Sequence, residues 1–147
     1  MAVSDSPVKV PQWEHFPHAA DVGIRGWGTS LAEAFEQGAL ALTAVVAPLD
    51  SIQPTEKITL ECCAEDREVL FLEWLNKIIY RMATENMLFN QFKLNIVKDK
   101  LTAELWGEPM DCLRHQPAIE VKGATFTCLA VKQVKPNRWY AQCVVDV

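Results

Sequence analysis

The sequence predicts an α+β fold: a single two-layer domain, a mostly antiparallel or mixed sheet of six to eight strands with two helices on one face. Three observations predict it. Two segments carry apolar residues at helical spacing behind recognisable N-caps. Most of the remainder alternates apolar and polar with the period of a strand. No internal repeat, low-complexity stretch or linker divides the 147 residues, a length that suits one domain.

Residues 1–12 are polar and small, with Pro7 and Pro11, and read as a flexible N-terminal tail. The folded domain is expected over residues 13–147. Trp13 to Phe16 reads as a short strand. Residues 20–28 alternate, with Val22, Ile24 and Gly26 on one face and Asp21, Gly23, Arg25 and Trp27 on the other. Their three glycines predict a bend or bulge. Ser30 followed by Glu33 forms a capping box, and Leu31, Phe35, Gly38, Leu42 and Val45 continue at helical spacing until Pro48 stops the helix.

Ile58, Leu60 and Cys62 alternate in a further strand. Asp66 is placed to cap a second helix running to about Met82. Its apolar residues, Val69 to Leu72, Trp74, Leu75, Ile78 and Ile79, cover well over half the circumference, so it is expected to be the more deeply buried helix. Phe92, Leu94 and Ile96 alternate, as do Leu101, Ala103 and Leu105, with Lys98-Asp99-Lys100 as the hairpin turn between them. Ile119 and Val121 predict a short strand leading into a strand from Ala124 to Val134. Pro136-Asn137 is a turn, and Trp139 to Val145 is the last strand.

Half of the residues are hydrophobic, so an ordinary core needs neither disulfide nor metal. No apolar run approaches the roughly 20 residues of a membrane span, and no basic region followed by an apolar stretch marks a secretory signal. The five cysteines include no CxxC pair and read as small core residues in a reducing cytoplasm. Cys62 and Cys63, being adjacent on a strand, point to opposite faces and do not suit a shared metal. Fourteen basic residues against 19 acidic ones give a net charge of −5, with no basic run. Gripping a nucleic-acid backbone needs neutralised phosphates, so autonomous nucleic-acid binding is not expected.

No Gly-rich phosphate loop, nucleophile elbow or HExxH is present. His15 and His18 flank Pro17, which argues against the helix that a metal-binding pair of that spacing would need, so both are expected to cap or hydrogen-bond. Two acids stand out. Asp21 opens an otherwise small and apolar strand. Asp146 follows Cys143-Val144-Val145, so the apolar chain end is expected to dock in the sheet and hold its oxygens in place. With a second carboxylate these would make an all-oxygen site suited to a hard cation such as Ca²⁺ or Mg²⁺. Taken alone, Asp21 is more simply a turn cap.

Six motifs resemble those of the archease family. They are His18-Ala19-Ala20-Asp21-Val22-Gly23-Ile24-Arg25-Gly26-Trp27-Gly28; Leu31-Ala32-Glu33-Ala34-Phe35-Glu36; Leu72-Glu73-Trp74-Leu75-Asn76-Lys77-Ile78-Ile79-Tyr80; the spaced Gly107-Glu108, Asp111 and Arg114-His115; Glu120-Val121-Lys122-Gly123-Ala124-Thr125; and the ending Asp146-Val147. They stand in the family's order, and the likeness as a whole covers residues 13–147. The resemblance implies a protein cofactor of an RtcB-type RNA ligase, active in tRNA splicing and RNA repair, which promotes guanylylation of the ligase and supports multiple turnover. It implies no catalytic residue of its own. It also implies a divalent-metal site, of calcium type, at Asp21, Asp146 and Val147, with Lys122 acting beside it. Ala19, Gly123 and Thr127 depart from the family's usual Thr, Ala and His. The competing readings are a metal-dependent hydrolase or transferase acting on a small phosphorylated substrate, and a chaperone-like modulator of several clients. By its strand pattern alone Lys122 points outward as a solvated lysine.

Overall fold

A computed structural model describes residues 12–147. The expected tail lies almost wholly outside the described residues. Its last residue, Gln12, accepts a main-chain bond from Trp27 N–H at 2.7 Å.

The two long helices begin at the expected caps. Helix α1 spans Leu31–Val46, and the Ser30 hydroxyl accepts from Glu33 N–H at 3.1 Å. Glu33 reaches back to Thr29 N–H at 2.6 Å, so the box closes one residue earlier than the usual pattern. Helix α2 spans Arg67–Glu85, where the Asp66 carboxylate accepts from the N–H groups of Glu68 and Val69. It ends on Asn86 in the left-handed conformation, φ 54°. A third helix absent from the sequence reading, α3, spans only Cys112–His115 and is capped by Asp111. A short 3-10 turn covers Leu49–Ser51.

The described residues form eight strands: β1 (Trp13–His18), β2 (Asp21–Gly28), β3 (Glu56–Cys63), β4 (Met87–Val97), β5 (Lys100–Pro109), β6 (Gly123–Ala124), β7 (Ala130–Lys135) and β8 (Arg138–Asp146). All pairings are antiparallel. The expected single sheet is divided in two. One sheet runs β1-β2-β8-β6, with β7 also on β8; the other runs β3-β5-β4. Helix α1 packs on β2 and β8 of the first sheet and on β4 of the second, and α2 likewise touches both. Neither helix rests on one sheet alone, and their apolar sides form the common core.

That placement reverses the expected order of helix burial. Helix α1 buries nine of its 16 residues and α2 eight of its 19. Helix α1 is built of small residues and lies close to β2. A Cβ on Gly26 would collide with the main chain of Ala34 and Gly38. The glycines of β2 therefore allow close approach to a helix. They do not bulge the strand, whose register with β1 and β8 is unbroken. Trp74 of α2 is fully buried, donates its indole N–H to Phe35 O at 3.0 Å and meets Phe92 edge-on.

The hairpin turn falls at Lys98-Asp99, with Val97 opposite Lys100. The expected strand at Ile119 and Val121 is irregular chain instead, held by Ala118 N–H to Val46 O at 2.9 Å. The long strand expected from Ala124 is interrupted between β6 and β7, where Cys128 has φ 57° and Phe126 is exposed. Cys62 and Cys143 are core residues, and burial pushes their thiols up to about 11 and about 12. Cys63, Cys112 and Cys128 are exposed, against the core reading, because each faces outward or sits in a loop.

Candidate functional site

Strands β1 and β2 are joined by two residues, Ala19 and Ala20, with His18 opposite Asp21. Ala19 carries φ 52°, a conformation that costs a residue with a Cβ. Strand β2 then pairs with β8, Val22 opposite Val145. The next pair outward in that register is Asp21 opposite Asp146. Directly opposed residues of an antiparallel pair project to the same face with Cβ atoms about 4.5–5.5 Å apart. Val147 N–H donates to Asp21 Oδ1 at 3.3 Å. Asp21 thus bonds the chain beyond Asp146 and does not act as the turn cap that its position first suggested.

On the other side of β8, Gly123 of β6 is opposite Asp146, and Lys122 N–H donates to Asp146 O at 2.7 Å. Val121 is buried and Lys122 exposed; the outward direction matches the expectation, but the alternation behind it does not hold, since Ile119 is exposed too and the segment is irregular chain. Three strands therefore bring Asp21, Lys122, Asp146 and Val147 to one end of the first sheet. Among the described residues, none of the ion pairs involves Asp21, Asp146 or Lys122.

The donors here are oxygens only: two carboxylates and the main-chain oxygens beside them. That set suits Ca²⁺ or Mg²⁺ with water completing the shell, and does not suit zinc. No group of three or more His, Cys, Asp and Glu among the described residues could hold a metal. A cation at this end would therefore depend on the Asp21–Asp146 pair and main-chain oxygen. Two cavities, of about 480 and 390 Å³, lie elsewhere: one on the outer face of β3-β5-β4, the other between α2 and the 110–121 segment. Neither is lined by Asp21, Lys122 or Asp146.

The face that carries the acids continues along the sheet as a bonded array. Phe16 covers Gly23, and the Arg25 guanidinium sits 4.6 Å from the Phe16 ring. Arg25 also donates to Gln142 and Glu14, each at 2.8 Å. Hydrogen bonds from Trp27 and then Arg25 hold the Glu14 carboxyl below the usual carboxylate range. His15 Nε2 lies 2.8 Å from Ala41 O, the hydrogen-bonding role expected of it.

Two motifs to which the sequence assigned no role acquire one here. The Asn76 side-chain amide bonds both main-chain groups of Ala124, beside Lys122. The only sequence signal for this is a polar residue next to the buried Leu75 on an apolar helix. The spaced Glu108, Asp111, Arg114 and His115 form a clamp away from the acids. Glu108 accepts from Arg114 at 2.7 and 2.8 Å, from Gln53 N–H at 2.7 Å and from buried His115 at 2.8 Å. Asp111 N–H donates to His115 Nδ1, which leaves Nε2 to carry the proton toward Glu108. Arg114 first, then the Gln53 amide and His115, hold the Glu108 carboxyl down at about 2.

Two of the three departures from the family pattern, Gly123 and Thr127, leave this geometry intact. A Cβ on Gly123 would meet only Asn76 Oδ1, at 3.7 Å, so alanine would fit. Thr127 is exposed and contributes its carbonyl to Val144 N–H at 3.0 Å, a contact any residue can make.

Residues 13–147 match the Archease protein family (MTH1598/TM1083). The chain is 37% identical over 140 residues to protein archease of Pyrococcus furiosus, covering 92% of this chain and 99% of that one. It is 29% identical over 142 residues to the archease-like protein of Drosophila melanogaster, covering 92% and 90%. The solution structure of Methanobacterium thermoautotrophicum protein 1598 superposes with a TM-score of 0.81 at 30% identity, covering 92% and 99%. With a family match over residues 13–147 and a relative 37% identical across nearly its whole length, the chain belongs to the archease family.

Proposed function

We propose that this protein is an accessory factor, not an enzyme, that activates an RtcB-type RNA ligase in the cytoplasm. It promotes guanylylation of the ligase and its turnover in tRNA splicing and RNA repair. The observation that carries the reading is the convergence of Asp21, Lys122, Asp146 and Val147, distant in sequence, at one exposed end of a sheet. Asp21, Asp146 and main-chain oxygen of Val147 would hold a divalent cation, Ca²⁺ by ligand type. The ion would neutralise the opposed carboxylates. Lys122 presents its ammonium group to the ligase or to the triphosphate bound there, an attraction available only if Lys122 stays outside the ion pairs of its own domain. The described residues contain no helix long and apolar enough to cross a membrane, consistent with work on a ligase in solution.

The test combines the purified protein with the ligase, GTP, Mn²⁺ and RNA bearing 2′,3′-cyclic phosphate or 3′-phosphate and 5′-hydroxyl ends. The protein should accelerate formation of the ligase–nucleotide adduct. Lys122→Ala and Asp146→Ala should each abolish most of the acceleration without unfolding the domain. Unchanged adduct formation in the presence of the wild-type protein would reject the reading.

A further inference from the structure

Asn76 lies in the middle of α2, half-buried, between the buried Leu75 and the exposed Lys77. Its side-chain amide meets a single residue twice. Ala124 N–H donates to Asn76 Oδ1 at 2.9 Å, and Asn76 Nδ2 donates to Ala124 O at 3.3 Å. Ala124 belongs to β6, which has only two residues. The amides on either side of those two residues donate toward β8: Lys122 N–H to Asp146 O at 2.7 Å and Thr125 N–H to Val144 O at 3.0 Å. The N–H and C=O of Ala124 therefore face away from β8, where a further strand would pair. Asn76 occupies that place and satisfies both groups. A carboxamide carries a donor and an acceptor on one carbon, whereas a carboxylate only accepts. The pairing ties α2 to the segment that carries Lys122, one bond away from the main chain of Asp146.

We propose that Asn76 is a positioning residue for ligase activation. It fixes β6 on α2 and thereby holds the Lys122 ammonium group in a set relation to the Asp21–Asp146 pair. This rests on the reading of Lys122 and Asp146 as the activation site. Without the amide, Ala124 turns to water for its hydrogen bonds, the two-residue strand loosens, and the Lys122–Asp146 main-chain bond opens more often. Residues that orient a working group from behind typically cost about 10–100-fold in activity when removed.

The experiment measures stimulated ligase guanylylation with Asn76→Ala, Asn76→Asp, Lys122→Ala, Asp146→Ala and the double variant Asn76→Ala/Lys122→Ala. Hydrogen exchange at the Lys122 amide is followed in parallel. Both Asn76 variants should fold, lower maximal stimulation about tenfold and speed Lys122 amide exchange. Adding Asn76→Ala to Lys122→Ala should change activity by less than about twofold, because a residue acting through Lys122 has nothing left to act on. A full multiplicative loss in the double variant, or unchanged Lys122 exchange, overturns the proposal. Should Lys122→Ala and Asp146→Ala both activate normally, the reading of the site fails and the proposal with it. Should those two be inactive while the Asn76 variants activate normally, the positioning role alone fails. If Asn76→Ala does not fold, Asn76→Asp, which keeps shape and volume, carries the comparison; unfolding of both would make Asn76 a folding residue and end the proposal.

Discussion

Replacing Asp146 with asparagine removes one charge and keeps the side chain's shape, so stability and metal binding should separate. In the metal-free protein the β2–β8 ladder ends at Val22 opposite Val145, and the same register carried one residue further sets Asp21 against Asp146. Like charges about 5 Å apart in water repel by about 0.8 kcal/mol, and directly opposed like pairs on sheets cost about 0.2–1 kcal/mol. Asp146 is exposed, which keeps the value in the lower part of that range. Asp146→Asn should therefore leave stability in EDTA unchanged or raise it by about 0.5 kcal/mol, the opposite sign to a typical substitution. Calcium should reverse the ranking. For a dissociation constant of about 10 µM, 1 mM free Ca²⁺ stabilises the native state by about 2.7 kcal/mol. At about 3 °C per kcal/mol for a domain of this size, the wild-type Tm should rise about 8 °C. The variant would lack one of the two proposed carboxylate ligands and should rise by less than about 2 °C. Differential scanning calorimetry in EDTA and in CaCl₂ reads all four values. An equal calcium shift in both proteins would show that Asp146 is not a ligand, and a large loss of stability in EDTA would show that its carboxylate is structural.

Three further outcomes follow from other parts of the molecule. Trp74→Ala, at a fully buried site with a hydrogen bond to Phe35 O, should cost about 3–5 kcal/mol by urea unfolding; a loss under about 2 kcal/mol would mean that the helices repack freely. The Glu108 carboxyl is lowered from its ordinary 4.5 to about 2 in the folded state. Its stabilising contribution should be complete above pH 4.5 and disappear as pH falls toward 2, so urea midpoints of wild type and Glu108→Gln should converge across that window; parallel curves would show that the clamp does not titrate there. Ala19→Gly relieves a residue at φ 52°, a gain of about 1–2 kcal/mol against about 0.4–1 kcal/mol of added unfolded-state entropy. The net should be a stabilisation of about 0.5–1 kcal/mol, and a net destabilisation would place the strain elsewhere.

Part of the candidate site can be read in the chain. Asp21 on a small apolar strand and Asp146 after an apolar run are both anomalous by composition, and the ladder between β2 and β8 brings them together. Lys122 carries no such signal. Its exposure is the ordinary fate of a lysine, and its proximity to the acids was implied only by the family resemblance. Asn76 looks like one polar residue on a helix, because what it caps, an edge strand 48 residues away, is invisible in the local sequence. The clamp at Glu108 was likewise a motif without a purpose until Gln53, 55 residues distant, was found to share its carboxylate.

Sequence alone determined what depends on neighbours within a turn or two. The caps at Ser30 and Asp66, the turn at Lys98-Asp99 and the alternation of most strands follow from hydrogen bonds and side-chain periods that span three or four residues. Tertiary structure alone decided which strands pair, because alternation marks a strand without naming its partner. It set β2 beside β8 and separated β3-β5-β4 as a second sheet. It buried the small-residue helix α1 more deeply than the bulkier α2, since close approach to β2 rewards small size over apolar surface. It also cut the expected strand around Val121 to the two residues of β6, where Asn76, and no further strand, satisfies the outer edge.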